Sequence, residues 1–148
     1  MNHPAIAVQP LEAADVRVGA LMTRDVTTLD RNDTMDVAAD LMAVRRIRHL
    51  PITDGGRVVG VVSERDLFRQ GLAGALGYGS KARRMLLRAL AVKEVMSEPA
   101  VTLAPDASVR EAARLMLERR IGCLPVVDAG VLVGLVTETD LLRHAYGP

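Results

Sequence analysis

Two short stretches of the chain pair a hydroxyl side chain with an aspartate three residues later. One reads GVVSERD and contains Ser63 and Asp66, and the other reads GLVTETD and contains Thr137 and Asp140. A carboxylate can accept hydrogen bonds from two vicinal hydroxyls, such as the 2′,3′-diol of a ribose. A hydroxyl beside the free N–H groups of a helix N-terminus favours an anion such as a phosphate. The alternative is structural, because Ser and Thr also cap helices and Asp is favoured in their first turn.

The two stretches belong to an internal repeat. Residues 18–69 align with residues 92–143 without a gap, and 22 of the 52 aligned positions are identical. Two copies without a third favour two halves related by a pseudo-twofold axis over a solenoid, which usually needs more repeats. We divide the chain into an N-terminal tail (1–15), a first repeat (16–70), a connector (71–91) and a second repeat (92–146).

Each repeat predicts the same order of elements. A short helical entry leads to a short extended piece, an amphipathic helix, two apolar strands joined by a turn, and a second helix. Ser108 and Glu111 fit a capping box at the start of the second repeat's amphipathic helix, whereas Thr34 in the first repeat lacks the matching Glu. Because the strands are apolar at nearly every position, we expect both faces of each sheet to be covered.

Composition narrows the class of protein. Hydrophobic residues make up 49% of the chain, enough for a core, and the net charge of +1 gives no general electrostatic case for binding nucleic acid. The single cysteine, Cys123, excludes an internal disulfide and suits a reducing compartment. No apolar run approaches the ~18 residues of a membrane span, and the N-terminus does not read as a signal peptide. We therefore expect a cytoplasmic protein with no membrane partner.

Known catalytic patterns do not account for the chain. It contains no P-loop and no G-x-G-x-x-G that opens a helix, and its histidines, Cys123 and aspartates show no metal-ligand spacing. We expect no enzyme, no metal and no obligate cofactor. The basic stretch at residues 81–91 predicts a helix, and its charges fit either a solvated face or a docking contact with a partner.

The repeat, its LPITDGG and LPVVDAG hairpins, and the closing Ser/Thr-x-x-Asp-Leu together resemble the CBS domain. Two such copies in tandem resemble a CBS pair, or Bateman module, over about residues 16–145. The resemblance implies an α/β (α+β) fold of two β-α-β-β-α repeats packed about a pseudo-twofold axis, and a homodimer. It also implies a cleft between the repeats that binds adenosine-containing ligands such as AMP, ADP, ATP or S-adenosylmethionine.

The resemblance implies ligand-binding roles for the matching residues of both repeats. Aspartates would hold the ribose, Ser/Thr and basic residues the phosphates, and the Thr and Ile residues the adenine, although ordinary core packing explains the latter as well. The predicted ligand-binding residues are Thr28, Ile47, Arg48, His49, Pro51, Ser63, Arg65, Asp66, Thr102, Ile121, Gly122, Cys123, Pro125, Thr137 and Asp140.

The two predicted sites should differ in charge. Arg48 and His49 of the first repeat are replaced by Gly122 and Cys123 in the second, and Arg65 has no basic counterpart. We therefore expect the charge that holds phosphates to come mainly from the first repeat.

Two functions remain open from the sequence. The first is a regulatory module that senses an adenine nucleotide and changes its shape or the contacts it makes with a regulated protein. The second is a ligand-independent dimeric scaffold that docks a partner protein. A nucleic-acid binder is disfavoured by the near-zero net charge and the scarcity of aromatic residues.

Overall fold

The structure, a computed structural model, describes residues 16–75 and 79–147, so the predicted N-terminal tail lies outside the described residues. The element order predicted for each repeat is present. The first repeat contains a 3₁₀ turn (Val18–Ala20), β1 (Leu29–Asp30), α1 (Met35–Arg45), β2 (His49–Asp54), β3 (Arg57–Ser63) and α2 (Glu64–Ala75). The connector forms α3 (Ser80–Ala89), and the second repeat contains a 3₁₀ turn (Val92–Glu94), α4 (Val109–Arg119), β4 (Cys123–Asp128), β5 (Val131–Thr137) and α5 (Glu138–Tyr146).

Each repeat builds its sheet around one hairpin. β2 pairs antiparallel with β3 and parallel with β1, while β4 pairs antiparallel with β5. In the second repeat, a single parallel bridge from Leu103 to Val126 takes the place of the β1 pairing. The strand register shifts at the same place in both hairpins, directly after Ile52 and after Val126. These two small sheets, flanked by helices, confirm the predicted α+β fold.

Local signals at the helix ends explain where α1 and α4 begin and end. The backbone N–H of Glu111 donates to the Ser108 hydroxyl at 3.0 Å, which confirms the serine half of the predicted capping box. At the start of α1, the Thr34 hydroxyl donates instead to the Asp36 carboxylate. Both helices end at an arginine in the left-handed region, Arg46 at φ 53° and Arg120 at φ 54°, where glycine is usual.

The two repeats exchange their entry segments. Val18 and Met22, which precede the first repeat's sheet, are buried in the core of the second repeat. Val92 is buried in the core of the first repeat, and Met96 packs against that core. Each segment then forms a backbone bridge with the opposite sheet, Thr23 with Leu135 and Ser97 with Val61. The exchange carries residues from each repeat to the strand ends of the other.

Two strand glycines make room for this exchange. A Cβ at Gly60 would lie 2.6 Å from Sδ of Met96 and 2.8 Å from the backbone oxygen of Ser97. A Cβ at Gly134 would likewise overlap the side chain of Met22. The absence of a side chain at both positions is therefore required for the close packing of each entry segment.

The connector helix α3 packs against α1 and α2 of the first repeat. Leu87 is buried in that repeat's core. Arg84 lies 3.3 Å from Asp40, and Arg88 lies 3.8 Å from Asp36, so two of its basic side chains pair with α1. Among the described residues, no helix has both the length and the apolar character needed to cross a bilayer.

Candidate functional site

The Ser63-x-x-Asp66 stretch caps α2. Oδ2 of Asp66 accepts hydrogen bonds from the backbone N–H of Ser63 at 2.8 Å and from its hydroxyl at 2.9 Å. In return, the backbone N–H of Asp66 donates to the Ser63 hydroxyl at 3.1 Å. The stretch therefore forms the helix cap that was the structural alternative for these residues. The cap uses one of the two carboxylate oxygens, because the hydrogen bonds found among the described residues involve Oδ2 and not Oδ1.

Thr137 and Asp140 repeat this arrangement at the start of α5. Oδ2 of Asp140 accepts from the Thr137 backbone N–H at 2.9 Å and from the Thr137 hydroxyl at 3.1 Å. The hydroxyl protons of Ser63 and Thr137 are thus both directed to an aspartate. An incoming anion would meet the backbone N–H groups of the helix start more readily than these hydroxyls.

Each capped helix start borders a cleft between the repeats, and we call the larger one cleft 1. Cleft 1 has a volume of about 630 Å³ and lies beside Asp66. The first repeat contributes the end of β3 and the start of α2, and the second repeat contributes Ser97 and residues 99–101 and 120–123. The exchanged entry segment of the second repeat therefore forms part of the wall.

Cleft 2 lies beside Asp140 and has a volume of about 410 Å³. The second repeat contributes the end of β5 and the start of α5, and the first repeat contributes Thr23 and residues 25–27 and 46–49. The two clefts therefore follow the pseudo-twofold relation of the repeats, and each is completed by residues of the other repeat.

Among the described residues, four line both clefts and form what we call the shared wall: Arg48, His49, Gly122 and Glu138. A Cβ at Gly122 would lie 3.2 Å from Nε2 of His49 and 3.5 Å from the carboxyl carbon of Glu138, so the glycine admits the imidazole. Burial lowers the pKa of His49 below its usual 6.5, an effect opposed by the negative charge of Glu138. The imidazole is therefore neutral at pH 7.

Arginines give the clefts their positive charge. The arginines lining cleft 1 are Arg48, Arg65, Arg69 and Arg120. The arginines lining cleft 2 are Arg46, Arg48 and Arg143. Four of these six different arginines come from the first repeat, which is the distribution expected for the charge that would hold phosphates. Each cleft also contains three carboxylates, those of Glu64, Asp66 and Glu138 in cleft 1 and those of Asp25, Glu138 and Asp140 in cleft 2.

Several predicted binding residues lie at the clefts and others do not. Ile47 lines cleft 2 and Ile121 lines cleft 1, as an apolar adenine slot would require. Pro51 and Pro125 have less than 2% of their surface exposed and lie inside the hairpins, outside both cleft linings.

The predicted threonines are displaced by one position. Thr28 and Thr102 lie outside the cleft linings, and the residues just before them, Thr27 and Val101, face the clefts instead. The cleft lining of each segment therefore ends one residue before the predicted threonine.

Two cleft arginines were not predicted, although their spacing from the capping aspartates indicates them. Arg69 and Arg143 each follow a capping aspartate by three residues, and both line the cleft of that aspartate. Residues three apart on a helix lie on the same face. The spacing from Asp66 and Asp140 was therefore sufficient to place them.

Cys123 lines cleft 1 but has only 4% of its surface exposed. Burial, together with the charge of Asp140, raises the pKa of its thiol to about 12. The thiol is therefore protonated and weakly nucleophilic at neutral pH, so it acts as a small apolar lining. Across residues 16–75 and 79–147, no group of metal-ligating side chains is placed to hold an ion.

The fold defines a tandem-repeat module with two clefts between its repeats. The sequence matches the CBS domain over residues 18–72 and 92–147, and the chain therefore belongs to the CBS domain family. It is 35% identical over 129 residues to a CBS domain-containing protein of Dictyostelium discoideum, covering 86% of this chain and 89% of the relative.

Two solved structures of similar fold contain adenosine ligands. One is CBSX2 in complex with AMP, with a TM-score of 0.73, 26% identity and coverage of 87% of this chain and 95% of the other. The second is the CBS domain pair of protein MJ0100 in complex with 5-methylthioadenosine and S-adenosyl-L-methionine. Its TM-score is 0.74, with 27% identity and coverage of 89% and 97%.

Relatives named as enzymes are matched over only part of their length. An inosine-5′-monophosphate dehydrogenase of Korarchaeum cryptofilum is 32% identical over 133 residues, which are 89% of this chain but 25% of the relative. A homoserine O-acetyltransferase of Methanohalophilus mahii is matched over 23% of its length. The likeness to these proteins therefore lies in their CBS part.

Proposed function

We propose that the chain is a regulatory module that binds an adenosine-containing ligand in the clefts between its CBS repeats. AMP, ADP, ATP and S-adenosylmethionine are the candidates. Binding changes the conformation of the module or its contacts with a regulated protein, which requires that the ligand prefer one of two arrangements. The module itself performs no reaction.

The observation that carries this proposal is the pair of capping aspartates at the cleft edges. Asp66 and Asp140 each hold a helix cap through one carboxylate oxygen, so the other oxygen can accept hydrogen bonds from a ribose diol. Arginines on the same helices, Arg69 and Arg143, lie one turn further on, where they can contact a phosphate. The complexes of CBSX2 with AMP and of MJ0100 with S-adenosyl-L-methionine support this choice of ligand class.

Calorimetry with AMP, ATP and S-adenosylmethionine tests the proposal. We expect the double variant Asp66→Ala plus Asp140→Ala to lose at least about tenfold in affinity, since hydrogen bonds to a charged group contribute about 1.5–3 kcal/mol. The double variant also loses two helix caps. Ser108→Ala is the matched control, because it removes the cap of α4 without touching either cleft lining. Unchanged affinity in the double variant, or no binding at millimolar ligand, would contradict the proposal.

A homodimer is part of the proposed function. On α5, Leu142 and Tyr146 are 61% and 75% exposed and lie four residues apart, so they share one face. The neighbouring α4 exposes Leu117 as well. In the first repeat, α3 packs against the equivalent helices, although Phe68, the counterpart of Leu142, is also 63% exposed.

We propose that a second copy covers this α4–α5 face. Sedimentation equilibrium should show a dimer that dissociates in Leu142→Glu, whereas Arg57→Glu at the start of β3, which is not part of the α4–α5 face, should not affect it. The scaffold function would be favoured over ligand sensing if partner binding survived loss of both aspartates.

A further inference from the structure

We propose that Arg48 serves both clefts, so that two ligands carrying phosphate groups compete for one guanidinium and bind with negative coupling. The inference rests on the proposed function, since it concerns the same clefts. It adds that ligand binding in one cleft weakens binding in the other. A ligand without a phosphate would fill the two clefts independently.

The shared wall is the feature that carries this inference. Arg48, His49, Gly122 and Glu138 each line both clefts, so Arg48 is placed next to a ligand on either side. The pseudo-twofold relation places Arg48 of the first repeat and Gly122 of the second at equivalent positions. A symmetric pair would supply two long side chains here, one for each cleft. This chain supplies one.

Arg48 is the one permanent positive charge in this wall. Glu138 carries a negative charge, Gly122 has no side chain, and His49 is largely neutral at pH 7 because it is buried. The other cleft arginines each line a single cleft. Competition for a shared cation therefore concerns Arg48.

The Arg48 side chain is weakly held, so it can turn toward either cleft. It is 80% exposed, and its Nε lies 3.8 Å from Oε2 of Glu64, a weak surface ion pair. A guanidinium binds a phosphate through two parallel N–H groups of one planar edge, and this fixes its orientation. Once committed to a phosphate in one cleft, it is withdrawn from the other. Two phosphates that shared it would be close enough to repel each other, and Glu138 adds to that repulsion.

The test compares AMP with adenosine by calorimetry in the wild type, in Arg48→Gln and in Arg57→Gln. Adenosine measures the difference between the two clefts that exists without a phosphate. In the wild type, we expect the ratio of the second to the first dissociation constant to be at least about tenfold larger for AMP than for adenosine. In Arg48→Gln, the AMP ratio should fall to within about threefold of the adenosine ratio, and the first AMP should bind more weakly.

Arg57→Gln is the matched control, because Arg57, the first residue of β3, lies outside both cleft linings and carries the same charge. It should keep the wild-type ratio. Equal ratios for AMP and adenosine in the wild type would overturn the inference and leave the proposed function standing. A large AMP ratio that persists in Arg48→Gln would do the same. If neither ligand binds at millimolar concentration, the proposed function fails and this inference fails with it.

Discussion

Replacing Gly60 with alanine places a methyl group where the second repeat's entry segment crosses the sheet of the first. The new Cβ would lie 2.6 Å from Sδ of Met96 and 2.8 Å from the backbone oxygen of Ser97. The methionine side chain can move aside, but the backbone oxygen cannot do so without breaking the bridge between Ser97 and Val61. We therefore expect Gly60→Ala to destabilise the fold and to distort cleft 1, which both Ser97 and Val61 line.

The magnitude follows from two opposing terms. Overpacking of this kind costs about 1–3 kcal/mol, and a glycine-to-alanine change recovers about 0.4–1 kcal/mol by restricting the unfolded chain. A net loss of about 1–2 kcal/mol lowers the Tm of a chain of this size by roughly 2–8 °C. Urea denaturation with unchanged slope would measure the loss directly.

The equivalent change in the second repeat provides the contrast. At Gly134, the atoms that a Cβ would meet all belong to the Met22 side chain, with no backbone atom among the nearest three. Gly134→Ala and Met22→Ala should therefore be strongly coupled in a double-mutant cycle, by about 0.5–3 kcal/mol. Gly60→Ala and Met96→Ala should be coupled much less, since Ser97 still blocks the methyl group. If Gly60→Ala were neutral, or if the two cycles gave equal coupling, the exchange of entry segments as described would be refuted.

Three further predictions concern single residues. Arg120→Gly should raise stability by about 0.5–1 kcal/mol in thermal unfolding, because Arg120 ends α4 in the left-handed region, whereas Arg119→Gly within the helix should lower it by a similar amount. Because burial lowers the pKa of His49, the imidazole takes up a proton in the unfolded chain at a higher pH than in the folded protein. The free energy of unfolding should therefore decline as the pH falls from 6.5 through the lower pKa of the folded state. His49→Gln should remove this part of the decline. The thiol of Cys123, with its pKa raised to about 12, should not react with a thiol reagent at about pH 8 until the protein is unfolded, and rapid reaction of the native protein would contradict its burial.

Much of the fold could be predicted because its determinants are local. The hairpins have turn residues between apolar strands, and Ser108 caps α4 in the predicted way. Repetition strengthened each of these signals, since the same pattern appears twice in register. The capping aspartates were found for the same reason.

The exchange of entry segments could not be predicted, because it depends on contacts between distant parts of the chain. The sequence shows that Met22 and Gly60 recur as Met96 and Gly134. It does not show that each methionine packs on the glycine of the other repeat. The same limit applies to the displaced threonines, since where a segment leaves the cleft depends on how the two repeats pack together. In the first repeat, the lining ends at Thr27 rather than Thr28.

The sequence difference between the repeats affects both clefts where their residues meet at the shared wall. Elsewhere, a residue that differs between the repeats lines one cleft only, as Arg65 lines cleft 1 and its counterpart Thr139 lines cleft 2. At the shared wall, Arg48 and Gly122 each line both clefts, so their difference cannot be assigned to either site alone. The sequence comparison led us to expect one charged and one less charged site. The geometry changes that expectation, because Arg48 lines both clefts, and under the proposed coupling the two clefts compete for it.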